Sequence, residues 1–123
     1  MAGLSFGSWH ARMTVLGNLD VFSALGLYSG VFNYKSSGQG LEKLGKYDYS
    51  ETFASPEAFN DKLHLLFVGM GEEEKDLMKD SKPEVERLAE QGYQMVVKSY
   101  PGYHEWDVWR KCACDMLPLL FKW

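Results

Sequence analysis

What this 123-residue chain lacks narrows it first. No apolar run approaches the roughly 20 residues that a helix needs to cross a bilayer, and no membrane partner is expected. Lys and Arg number 13, are scattered, and are outnumbered by 17 Asp and Glu, for a net charge of −4. The basic footprint that phosphate binding requires is missing, so no nucleic-acid partner is expected either. Cysteine is scarce, with only Cys112 and Cys114. Two residues apart on an expected helix, they point in different directions and cannot easily bridge each other. Neither they nor His10, His64 and His104 fall at metal-ligand spacing. An H-E-x-x-H motif begins at His104-Glu105 but fails at Val108. No metal and no cofactor are expected, and there is no internal repeat or low-complexity tract.

A hydrophobic share of 46% and a charged share of 24% are those of an ordinary globular protein, and residues 1–123 are expected to form one domain. Aromatics are plentiful at 15%, with four Trp. They fit a core, or a cleft for an aryl group or a sugar.

The feature that organises the chain is Gly3-Leu4-Ser5-Phe6-Gly7. A G-x-S-x-G pentapeptide is the nucleophile elbow of α/β-hydrolases, a tight strand-to-helix turn that exposes the serine while flanking glycines remove steric obstacles. Trp9, Met13 and Leu16 recur at helical spacing behind it, with Gly17-Asn18 as a stop. The N-terminus of that helix points at Ser5, and its free backbone N–H groups favour a developing negative charge. An elbow also needs a strand before it, and only Met1 and Ala2 precede Gly3. The front half of such a fold is therefore expected to be missing.

Residues 24–28 form an apolar run suited to a parallel strand covered on both faces. Residues 31–52 show no lasting period and are expected to be a long surface segment, with a short helix around 41–44. Ser55-Pro56-Glu57 opens a brief helix with Ser as N-cap. Residues 63–68 predict a strand ending at Gly69-Met70-Gly71, and an acidic run follows. Lys82-Pro83 opens a helix that stops at Gly92, and 95–100 predict the last strand. Beyond the turn at Pro101-Gly102-Tyr103-His104, a final apolar-faced helix carries Trp106, Trp109, Ala113, Met116 and Leu120 and bends near Pro118. The alternation predicts α/β architecture, with about three parallel strands and flanking helices.

Reactive groups of such sheets gather beyond the carboxyl ends of the strands. Ser5, the acidic run and His104 all take such places, in the order Ser, acid, His. A serine hydroxyl needs a base to remove its proton, which suits His104, and the imidazole needs a carboxylate to fix its tautomer. Glu74, three residues after Gly71, is the favoured acid. Glu73 is the second choice, Glu72 and Asp76 stand behind it, and Asp107 is a local alternative. The Phe6 N–H is the candidate oxyanion donor.

The residues 1–7, Asp20-Val21-Phe22-Ser23-Ala24-Leu25-Gly26 with Tyr28-Ser29-Gly30, and Gly102-Tyr103-His104-Glu105-Trp106 with Val108-Trp109-Arg110 together resemble the esterase D or enterochelin-esterase-like α/β-hydrolases. That group includes the feruloyl and acetyl-xylan esterases of carbohydrate esterase family 1. Here Phe6 replaces the Met of an A-G-L-S-M-G-G elbow, and glutamates stand where an aspartate is common. The resemblance implies a serine esterase working through an acyl-enzyme, with feruloyl or acetyl esters of plant polysaccharide as substrates and a secreted or periplasmic location. It also implies that the second oxyanion donor comes from an earlier loop. An open sheet edge would then lead to a homo-oligomer or to pairing with the missing N-terminal half. The alternative is a non-catalytic carbohydrate- or ester-binding accessory module on a truncated hydrolase scaffold.

Overall fold

A computed structural model describes residues 1–30 and 51–123; the long surface segment and the short helix expected around 41–44 lie largely outside them. The chain runs β1 (Ala2–Leu4), α1 (Phe6–Leu16), β2 (Ala24–Tyr28), α2 (Pro56–Lys62), β3 (Leu65–Gly71), α3 (Lys82–Glu90), β4 (Val96–Tyr100) and α4 (Trp106–Met116). A π-helical turn at Leu77–Ser81 leads into α3, and a 3₁₀ turn at Leu117–Leu119 follows α4.

The strands form one parallel sheet in the order β1-β2-β3-β4. One strand more is present than the sequence predicts. Ala2, Gly3 and Leu4 pair with Gly26, Leu27 and Tyr28, so a strand does lead into Ser5. At three residues it is too short to show any periodicity. The second difference is the position of β3, which begins after His64 and runs through Gly71. Its glycines continue the ladder instead of ending it, because Gly69 and Gly71 keep register with Lys98 and Tyr100.

Alternation along β2 and β3 divides the core into two layers. Leu25, Leu27, Leu66, Val68 and Met70 face α1, α2 and α3, where they meet Val15, Phe59, Val85 and Leu88. Ala24, Tyr28, Leu65 and Phe67 face α4, where they meet Val108, Cys112 and Met116. Every residue of β2 and β3 is buried, which is why both read as continuous apolar runs. Full burial of a side chain such as Phe59 or Phe67 contributes about 1.5–3 kcal/mol before entropy is counted.

Local signals set the helix boundaries. The Ser55 hydroxyl accepts the Ala58 N–H at 3.3 Å, and Pro56 occupies the first turn of α2. Gly92 has a φ of 99° just past the end of α3.

Candidate active site

Ser5 sits between the end of β1 and the first residue of α1, with φ 53° and ψ −125°. Positive φ on a residue with a Cβ costs about 1–3 kcal/mol and persists only where surrounding contacts impose it. Here the Ser5 N–H donates to the Tyr28 carbonyl at 2.8 Å. Its own carbonyl accepts the Ser8 N–H at 3.1 Å and the Ser8 hydroxyl at 2.6 Å. Gly3 is the glycine that lets this turn close, since a Cβ there would lie 2.2 Å from the Gly7 carbonyl oxygen. At Gly7, by contrast, a Cβ would meet nothing within 4 Å among the described residues. The obstacle-removing role expected of both glycines therefore falls on Gly3 alone there.

His104 lies in the turn after β4, with its side chain 49% exposed. Its Nε2 is 2.7 Å from Ser5 Oγ and its Nδ1 is 2.6 Å from Glu74 Oε1. With Glu74 ionised, Nδ1–H is the donor to the carboxylate. Nε2 is then the unprotonated nitrogen that can accept from the Ser5 hydroxyl.

Glu74 follows β3, with its side chain only 5% exposed. While Oε1 meets His104, Oε2 accepts the Ser29 hydroxyl at 2.6 Å and the Gly71 N–H at 2.6 Å. The acidic loop is fastened to the histidine turn through the backbone, with Glu72 N–H donating to Tyr100 and Glu73 N–H to Gly102. Glu72, Glu73 and Asp76 are exposed. Asp107 bonds Arg110 at 2.8 Å. Of the acids weighed from sequence, Glu74 is the one hydrogen-bonded to His104.

Phe6 is the first residue of α1, so its N–H is among the helix-start donors left without an intrahelical acceptor. Phe6 is 64% exposed, and its ring packs near Trp9 and His10, with centroids 5.2 and 4.7 Å away. A cleft of about 540 Å³ opens beside His104, lined in part by Glu73, Lys75, Asp76 and Tyr103.

No family model matches the sequence. The structure is similar to the apoenzyme of S-formylglutathione hydrolase from Staphylococcus aureus, with a TM-score of 0.69 at 18% identity over 96% of this chain and 49% of that one. It is also similar to the substrate-bound fluorophosphonate-binding serine hydrolase F of Staphylococcus aureus, with a TM-score of 0.70 at 17% identity over 96% of this chain and 52% of that one. The fold is that of the α/β-hydrolases. The chain spans about half the length of these structures.

Two contacts within this hydrolase fold escape sequence reasoning. Ser29, at the end of β2, reads as a strand terminator but donates to Glu74. The rule that reactive groups gather at strand ends would have marked it. Trp109 reads as one residue of an apolar helix face, yet its ring stands edge-to-face against His104, with centroids 5.1 Å apart at 87°. The remaining histidines lie elsewhere. His64 precedes β3, at the opposite end of that strand from Glu74, and stacks on Trp123. His10 stacks on Trp9.

The two cysteines diverge as expected, with Cys112 buried and Cys114 exposed. Burial pushes the Cys112 thiol up to about 12, and the Glu74 and Asp115 carboxylates add to the rise. Near neutral pH it stays protonated and is no competing nucleophile.

Proposed function

We propose that this chain carries the reacting groups of a serine carboxylic-ester hydrolase and forms the C-terminal part of its catalytic domain. The observation that carries this reading is the unbroken relay from Ser5 Oγ through His104 to Glu74, at 2.7 and 2.6 Å. His104 Nε2 takes the Ser5 proton as Oγ attacks the ester carbonyl carbon. Charge gathering on the carbonyl oxygen is met by the Phe6 N–H at the positive end of α1. His104 then gives its proton to the departing alcohol, leaving the acyl group on Ser5, and water completes hydrolysis by the same route in reverse. Glu74 holds the tautomer that this cycle needs.

Feruloyl or acetyl esters of plant polysaccharide are the proposed substrates, and no metal or cofactor enters the steps. Phe6 follows Ser5 along the chain, and Tyr103 and Trp106 flank His104; all three are exposed and offer flat apolar surface to an aromatic acyl group or a sugar. The names of the two similar structures, a serine hydrolase and an S-formylglutathione hydrolase, agree with a hydrolytic site. Treating the folded protein with a fluorophosphonate and mapping its peptides by mass should place the adduct on Ser5. An unmodified Ser5 in folded protein would overturn the proposal.

Among the described residues β1 pairs only with β2, so its outer edge is open to a further strand. We propose that a second copy, or the N-terminal half of the same hydrolase, occupies this edge, and the N-terminal half would also bring the second oxyanion donor. For the chain alone, light scattering at micromolar concentration should give a multiple of 14.0 kDa. A monomeric mass would rule out pairing between copies.

A further inference from the structure

We infer that Ser29 is a positioning residue of this site: its hydroxyl fixes the carboxylate of Glu74 so that one oxygen is committed to His104. The inference extends the esterase proposal, but its geometric part stands without it. Ser29 is 4% exposed and has a φ of 51°. Glycine would occupy that left-handed conformation without the Cβ penalty, so the backbone alone gives no reason for a serine here. The side chain supplies one, because its O–H donates to Glu74 Oε2 at 2.6 Å.

The Gly71 N–H reaches the same oxygen, also at 2.6 Å. A carboxylate held at a single point can still turn about its terminal torsion, which is broad and soft. Two donors converging on Oε2 from different strand ends fix the plane and leave Oε1 facing His104 Nδ1. Charge-assisted hydrogen bonds of this kind are the strong ones. A buried carboxylate deprived of one would bear the loss in full.

Ser29 is also tied to the nucleophile. The next residue, Gly30, has no room for a Cβ, which would lie 1.7 Å from Ser8 Oγ. Ser8 in turn donates to the Ser5 carbonyl. The Ser29-Gly30 turn is therefore wedged between the elbow that presents the serine and the acid that orients the base. The Ser29 N–H, bonded to the Gly69 carbonyl at 2.8 Å, anchors the turn to β3. With its proton committed to Glu74, the Ser29 hydroxyl is an orienting donor and no second nucleophile.

Ser29→Gly and Ser29→Ala test this, because both delete the donor while only glycine relieves the positive φ. Three quantities are read: urea unfolding, the ring ¹⁵N shifts of His104 at pH 8, and the saturation kinetics of fluorophosphonate labelling. The wild type should show a single tautomer protonated at Nδ1, and both variants a mixture. Labelling at saturating probe should fall about tenfold in both, the size of one charge-assisted hydrogen bond, with the half-saturating concentration held within about twofold. Ser29→Gly should unfold at no lower urea than Ser29→Ala. Activity would thus fall in a variant whose backbone strain has been removed, which a purely structural serine does not predict.

A mixed tautomer in the wild type, or wild-type shifts in both variants, would overturn the inference. Loss of cooperative unfolding in both variants would also overturn it, since Ser29 would then hold the fold and not the carboxylate. A wild-type Ser5 that never labels would sink the esterase proposal alone, and the histidine shifts would still decide on Ser29.

Discussion

In the complete catalytic domain proposed above, Ser5→Ala, His104→Ala and the double variant are each expected to lose the same factor in kcat for p-nitrophenyl acetate, about 10⁶-fold. The equality is the informative part. Ser5 and His104 share one hydrogen bond and one proton, so removing either leaves nothing for the other to do. If losses multiplied in the double variant, the two residues would be acting independently and the relay would not be the catalytic unit. KM should change little in all three, because neither Ser5 Oγ nor the imidazole is needed to hold the ester in place.

Glu74→Gln should lower kcat by about 10⁴-fold, the loss seen where a buried orienting acid becomes an amide. The glutamine oxygen would keep the donors Ser29 and Gly71 only by turning its NH₂ toward His104. That NH₂ cannot accept from Nδ1–H, so the proton would move to Nε2, the position that must be free to take the Ser5 proton. The reverse orientation would present the NH₂ to Ser29 and Gly71 and leave two buried donors unpaired. Glu73→Gln should leave kcat within about twofold, because the Glu73 side chain is exposed and its backbone N–H already engages Gly102. A larger effect at Glu73 than at Glu74 would reverse the assignment of the acid.

The sequence made the chemistry more legible than the packing around it. Ser5, Glu74 and His104 could be ordered along the chain because each follows a strand, and strand-end placement survives even when boundaries are misjudged. Glu74 could be preferred over Glu73 only by its distance from Gly71. What separates them physically is that one side chain is buried against Ser29 and the other points to water, and no local pattern encodes that. β1 is invisible in the sequence because three residues cannot show a period. The end of β3 is obscured because glycine weakens a strand signal, while here parallel pairing on both sides holds Gly69, and pairing with β4 holds Gly71, in the ladder. The contacts of Ser29 and Trp109 with the relay depend on residues 45 apart in the first case and on a helix face in the second. Neither leaves a trace in spacing.

The backbone bonds between the acidic loop and the histidine turn have a consequence for how the site loosens. Glu74 and His104 ride beyond the ends of β3 and β4, which are bonded to each other along five register pairs. Ser5, the proposed nucleophile, rides on β1, which is held to β2 by three. Local opening should therefore begin at β1, where the fewest pairs must break. The first species on the unfolding path would be one in which Glu74 and His104 remain coupled while Ser5 has drifted out of reach, so the proposed activity would be lost before β2, β3 and β4 come apart.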